Sequence, residues 1–185
     1  MWPWGHVAVG YLAHAGVLDR RFAAPPGDLA AVVLVVATQL PDLVDKPLAW
    51  TVPILPNGRS LGHSVFTAAL LVLVVGWAAR RYRRGDLGLA FGVGYVSHLF
   101  ADSLDSLISA DLAALRFLGW PLLPAPPQTG TSSILGRFLE LAAELAAGDL
   151  SSMFALELVL VTLAALLWVR QGYPGLAVLP GVSND

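Results

Sequence analysis

The sequence predicts an all-α protein, a polytopic transmembrane bundle of four to five membrane helices with one further amphipathic helix at its surface. Three observations carry this expectation. Hydrophobic residues make up 56% of the 185-residue chain and charged residues only 13%. A soluble domain carries roughly 25% charged residues, so this chain lacks the polar surface to cover a globule in water. The charges also fall almost entirely between apolar segments, as hydrocarbon demands, because an unpaired charge at mid-bilayer costs about 3 kcal/mol or more.

The first segment, Gly5 to Leu18, is too short to cross the roughly 30 Å hydrocarbon core upright, and reads as a partly inserted or packed helix. The second begins at Asp28, an N-cap after Pro25-Pro26-Gly27, and runs through AAVVLVVATQL into LPDLVD, ending near Asp45. The third extends from His63 to Ala79 and stops at Arg80-Arg81-Tyr82-Arg83-Arg84. The fourth covers Leu87 to Leu107, and the fifth covers Met153 to Val169, ahead of Arg170. Between these two lies a polar, proline-rich stretch from Pro121 to Ser133. It is followed by ILGRFLELAAELAAG, where Arg137, Glu140 and Glu144 recur at helical spacing against an apolar remainder. That pattern suits a helix on the membrane surface or one packed over the end of the bundle. A chain of this length makes a single domain, 1–185.

The net charge of −2 and pI near 6.0 leave no basic surface for nucleic acid. The absence of cysteine excludes disulfides, thiolate metal sites and cysteine nucleophiles, so a bound metal must use imidazole and carboxylate. The opening Met1-Trp2-Pro3-Trp4-Gly5-His6 lacks the basic region and cleavage site of a secretory signal, so the mature chain is expected to begin there. Arg80, Arg81, Arg83 and Arg84 form the strongest basic cluster and are expected to be cytoplasmic. Alternating segments then put Arg20, Arg21 and Arg170 on the same side.

On that topology the remaining ionisable residues converge. His6 opens the first segment, Asp42 and Asp45 close the second, His63 opens the third, and His98 with Asp102 lies near the end of the fourth. All of these ends face the side opposite the arginines, which predicts a site on the non-cytoplasmic face. Asp42 and Asp45 are three residues apart and His98 and Asp102 four, so each pair shares one helix face. Bundle metal centres are assembled from such pairs on facing helices. Imidazole with carboxylate suits zinc, manganese or ferrous iron better than calcium, and several carboxylates allow two ions. A lone histidine at a helix end is more often a hydrogen-bonded interfacial group, and His14 is read that way. Asp at a helix C-terminus opposes the macrodipole, which makes capping a poor explanation of Asp42 and Asp45. Asp105 is read as the start of the aqueous loop, Ser64 as a helix cap, and Trp2, Trp4, Trp50 and Trp120 as interfacial anchors.

At these residues the chain resembles the YdjM-type membrane-bound, metal-dependent hydrolases, also called the domain of unknown function 457 family. The matching pieces are Gly5-His6, LPDLVD (Leu40 to Asp45), Gly62-His63-Ser64 and GYVSHLFADSLD (Gly94 to Asp105), in the family's order. The resemblance implies metal binding by His6, Asp42, Asp45, His63, His98 and Asp102. The family's third motif usually reads like HRGxTHS, whereas Asn57 to Ser64 reads NGRSLGHS and lacks the first histidine. The spacing of His98 and Asp102 is also similar to a motif of zinc-dependent phospholipase C, which suggests phosphoester chemistry.

The expected activity is hydrolysis of an ester or phosphoester by metal-activated water, with Asp45 as general base and a lipid or lipid-linked substrate taken from the bilayer. Two other classes fit the same residues. A transporter would place its ionisable groups along a mid-membrane water path. A non-catalytic scaffold would use a closed metal site to clamp its helices.

Overall fold

A computed structural model describes residues 1–21, 25–127, 133–148 and 151–178, and among these the regular structure is entirely helical. Six α-helices follow in order: α1 (Pro3–Arg21), α2 (Asp28–Trp50), α3 (Val65–Arg81), α4 (Gly85–Ile108), α5 (Ile134–Ala147) and α6 (Ser152–Arg170). Short 3-10 turns occur at Ala114–Gly119 and Leu176–Val178. Ser64, Ser133 and Ser151 cap α3, α5 and α6 by accepting from the backbone N–H of Phe66, Gly136 and Phe154.

α4 is the hub, packed against α1, α2 and α3, while α6 leans on α1. One core cluster joins Tyr11, Ala30, Leu34 and Ala90, and a second joins Ala68, Tyr95 and Leu99. Gly94 lets α2 and α4 touch: a Cβ there would lie 2.8 Å from the Leu34 carbonyl oxygen and 2.9 Å from the Ala37 Cβ. That close approach fixes the height of α4 against α2, one turn before His98.

Among the described residues two helices, Gly85–Ile108 and Ser152–Arg170, are long and apolar enough to cross a bilayer, fewer than the four to five expected. α3 has 17 residues, at the short end of what spans the core. α2 has the length, but Asp28, Asp42, Asp45 and Lys46 interrupt its apolar character. α1 begins earlier and ends later than the predicted Gly5 to Leu18, and α2 continues past Asp45 through Pro47 to Trp50.

The outer surfaces of α3 and α6 are apolar, with Leu70, Leu73, Val74 and Trp77 exposed on one and Leu158, Val159, Leu163 and Leu166 on the other. α5 exposes Leu135, Phe138, Leu139 and Leu145 and meets the end of α1 through Phe138 against Trp2.

Candidate metal centre

The six residues singled out by sequence meet at one end of the bundle, and all are buried. His6 comes from the first turns of α1, Asp42 and Asp45 from the second half of α2, and His98 and Asp102 from the last turns of α4. His63, expected to open the third helix, is not helical but sits in the loop before α3. Tyr95 holds that loop down by donating to the Gly62 carbonyl at 2.6 Å.

Asp42, His63, His98 and Asp102 form the centre itself, each offering a ligand atom within 4.8 Å of the others. Hydrogen bonds behind the two imidazoles decide what they present to it. His98 Nδ1 lies 2.6 Å from the Thr38 carbonyl oxygen, which only accepts, so Nδ1 carries the hydrogen. His63 Nδ1 donates to Asp45 Oδ2 at 2.8 Å. Both Nε2 atoms therefore point inward, 3.1 Å apart. Asp102 Oδ2 lies 3.3 Å from His63 Nε2 and 3.9 Å from His98 Nε2. Asp42 Oδ1 lies 3.6 and 3.9 Å from the same two atoms and has no hydrogen-bond partner.

Two imidazole nitrogens and two carboxylate oxygens thus converge, an arrangement that could hold a cation at its middle. Without metal, a proton on His63 does part of that work. Burial alone would push the His63 pKa down, but the carboxylates of Asp102, Asp42 and Asp45 around its ring outweigh it and hold the pKa up at about 10. The donor set fits a divalent ion of the kind bound by imidazole and carboxylate, with Asp42 Oδ1 the buried atom left unpaired for it.

Asp45 occupies a different place from the ligand and base roles expected of it. Its carboxylate is already filled, accepting from the backbone N–H of Ser60 and Gly62 at 2.7 Å each, from that of His63 at 3.3 Å, and from the His63 ring. It orients His63 from behind, as a carboxylate does in carboxylate–histidine–metal triads. His6 also lies outside the four. Its ring stacks on His98 with centroids 3.8 Å apart, and Nε2 comes within 3.3 Å of Asp102 Oδ1, yet neither ring nitrogen makes a hydrogen bond.

Several participants escaped the sequence reading. Arg59 Nε contacts Asp102 Oδ2 at 2.9 Å, and Lys46 pairs with Asp42 Oδ2. Glu157, 3% exposed, accepts from the Trp2 N–H at 2.9 Å and ties α6 to the end of α1 that carries His6. It is the sole ionisable residue in SMFALELVLVTLAALLWV, and this was the signal that could have found it. Lys46 stands four residues after Asp42, a spacing that pairs side chains on a helix. His14 is buried, with Nδ1 unpartnered, and Asp105 is exposed but still within α4, not yet in the loop.

A family model described as YdjM inner membrane protein matches residues 1–173. No curated protein and no solved structure matches the chain.

Proposed function

The chain belongs to the YdjM inner membrane protein family, and from that premise we propose that it is a multi-pass, metal-dependent hydrolase cleaving an ester or phosphoester of a lipid-like substrate. The observation that carries the reading is the convergence of His63 Nε2, His98 Nε2, Asp42 Oδ1 and Asp102 Oδ2 without enough protons to satisfy them. Zinc suits this set best, with manganese or ferrous iron next. A bound divalent ion supplies Lewis acidity and lowers the pKa of a water from 15.7 to about 7.

The chain's own residues supply the rest. Asp45 and the Thr38 carbonyl fix the two imidazole tautomers and ring planes. We assign the proton acceptor to His6, not to the saturated Asp45, because both His6 ring nitrogens are unpaired beside Asp102. Phe117, 1% exposed and packed edge-on against His63, keeps bulk water from that side.

In the membrane, α4 and α6 span directly. α2 joins them because its charges are paired within the bundle while Val35, Val36 and Leu43 face outward. α3 presents its exposed apolar face to lipid, and Arg80 and Arg81 at its end mark the cytoplasmic side. The centre then lies at the opposite, non-cytoplasmic headgroup level. A metal that only clamps the helices is the second reading, favoured by the burial of all four donors.

The test compares the wild type with a His98→Ala, Asp102→Ala double variant, both purified in detergent, by metal content per chain. About one ion or more in the wild type, lost in the variant, supports the centre. Turnover of ester or phosphoester probes by the loaded protein then separates enzyme from clamp. Absence of metal from both proteins after repletion overturns the hydrolase reading.

A further inference from the structure

The lateral surface between α3 and α4 carries an apolar groove of about 360 Å³, lined by Val65, Ala68, Val72, Val96, Leu99 and Leu118, among others. Its one hydroxyl lining residue, Ser103, spends that hydroxyl on the Leu99 carbonyl at 2.7 Å, so the groove offers no polar handle. From Val65 to Val72 it follows about 10 Å of α3, toward the middle of the bundle.

The groove and the metal centre are built from residues one or two apart at three points of the chain. Val65 lies two residues after His63, Ser103 directly follows Asp102, and Leu118 directly follows Phe117, whose ring contacts His63. The 3-10 turn Ala114–Gly119 closes both at once and is fastened to the α3 cap, where Ser64 donates to the Trp120 carbonyl at 2.5 Å.

The other boundary of the centre is cationic. Each metal-facing carboxylate holds a basic side chain: Arg59, 45% exposed, on Asp102 Oδ2, the oxygen that also faces the centre, and Lys46, 31% exposed, on the outward Oδ2 of Asp42. Arg59 makes this contact through Nε, which leaves its two Nη groups to donate elsewhere, and its guanidinium packs over Phe117 at 5.7 Å. With a divalent ion in place, the charges of the ion, Arg59 and Lys46 outweigh those of Asp42, Asp45 and Asp102. The loaded centre is therefore net positive and complementary to an anion.

Resting on the hydrolase reading above, we propose that the substrate is an anionic amphiphile, bound with its phosphate-like group between Arg59 and Lys46 and an acyl chain along the α3–α4 groove. Charge complementarity selects the head, and the apolar groove selects the tail. A lipid lying in the outer leaflet already has this orientation, with its headgroup level with the centre and its chain toward the bundle middle.

The experiment measures binding of dioleoyl phosphatidic acid, dioleoyl phosphatidylcholine and inorganic phosphate to the full, metal-replete chain in detergent, by calorimetry, with metal content read for every sample. The expected result is phosphatidic acid bound at least about tenfold more tightly than phosphatidylcholine. Arg59→Gln should remove that preference. Ala69→Trp, which fills the exposed groove, should weaken phosphatidic acid about tenfold while sparing inorganic phosphate and metal content. Leu163→Trp on the lipid face of α6 serves as the control and should change nothing. Equal binding of the two lipids, or an Ala69→Trp variant no weaker than the Leu163→Trp control, overturns the proposal while leaving the metal reading intact. Absence of metal from the wild type overturns the underlying hydrolase reading instead.

Discussion

Replacing Asp45 by Asn separates a residue that supports a metal ligand from one that is itself a ligand or base. The wild-type carboxylate is fully buried and receives four hydrogen bonds: three N–H groups approach Oδ2, from Ser60, the His63 backbone and the His63 ring, and Gly62 N–H approaches Oδ1. An amide that keeps its oxygen toward the three donors must turn its NH2 against the Gly62 N–H, so one bond is lost and two donors face each other. Leaving such a buried group unsatisfied costs about 1–3 kcal/mol. Losing the negative charge behind His63 weakens the ligand further, and changes of this kind cost about 10–100-fold in metal affinity. Asp45→Asn should therefore lower the melting temperature of the metal-free protein and weaken metal binding without abolishing it. Asp42→Asn should instead abolish metal binding, because it removes the bare Oδ1 that faces the centre, and should cost the metal-free protein only the half-exposed Lys46 pair and part of the hold on the His63 proton. Melting in detergent with and without metal, paired with metal titration, reads both effects. An Asp45→Asn protein that melts like the wild type but binds no metal would refute the assignment and return Asp45 to the ligand set.

Gly94→Ala drives a Cβ against the Leu34 carbonyl and Ala37, so α2 and α4 must separate at a cost of about 1–3 kcal/mol, read as a lower melting temperature. Metal affinity should fall with it, because His98 is one turn away on the same helix. Glu157→Ala removes the acceptor for the Trp2 N–H and should destabilise the α1–α6 contact by about 1–3 kcal/mol, whereas Glu157→Gln retains an acceptor and should fall between it and wild type in the same melts. The His63 pKa is raised from 6.5 to about 10 in the folded, metal-free protein, so the stabilisation it brings is complete below pH 6.5 and disappears as pH rises through about 10. Melting temperature against pH should show that decline without metal, and metal loading should flatten it, since the ion replaces the proton. A metal-free protein whose melting temperature rises between pH 7 and 10 would contradict the protonated His63.

The composition and the pattern of the charges were enough to read an all-helical membrane protein, because 56% hydrophobic residues cannot fold with a wet surface. The alternation of helix ends was enough to bring His6, Asp42, Asp45, His63, His98 and Asp102 to one level, since a bundle of antiparallel helices leaves their ends few other places to go. Spacing alone could not separate their roles. Asp42 and Asp45 share a helix face and a motif, yet one offers a bare oxygen to the centre while the other is filled by Ser60, Gly62 and His63. That difference depends on how the loop of residues 52–64 folds back over α2, with Gly62 against the Pro41 carbonyl, a contact between segments more than 20 residues apart. Arg59 and Lys46 gained their meaning in the same way, from carboxylates that the fold placed beside them. Among the described residues length and hydropathy single out α4 and α6 as spans, fewer than the four to five expected, because α2 carries charges and α3 is short. Hydropathy measures a helix against lipid on every side, whereas the charges of α2 are answered inside the protein, Asp42 by Lys46 on the same helix and Asp45 by the loop that carries His63. Composition, charge pattern and spacing reveal the solvent, the helices and the residues that could bind a cation; which of their atoms face it is set by the packed fold, because the direction of a hydrogen bond depends on a partner from elsewhere in the chain.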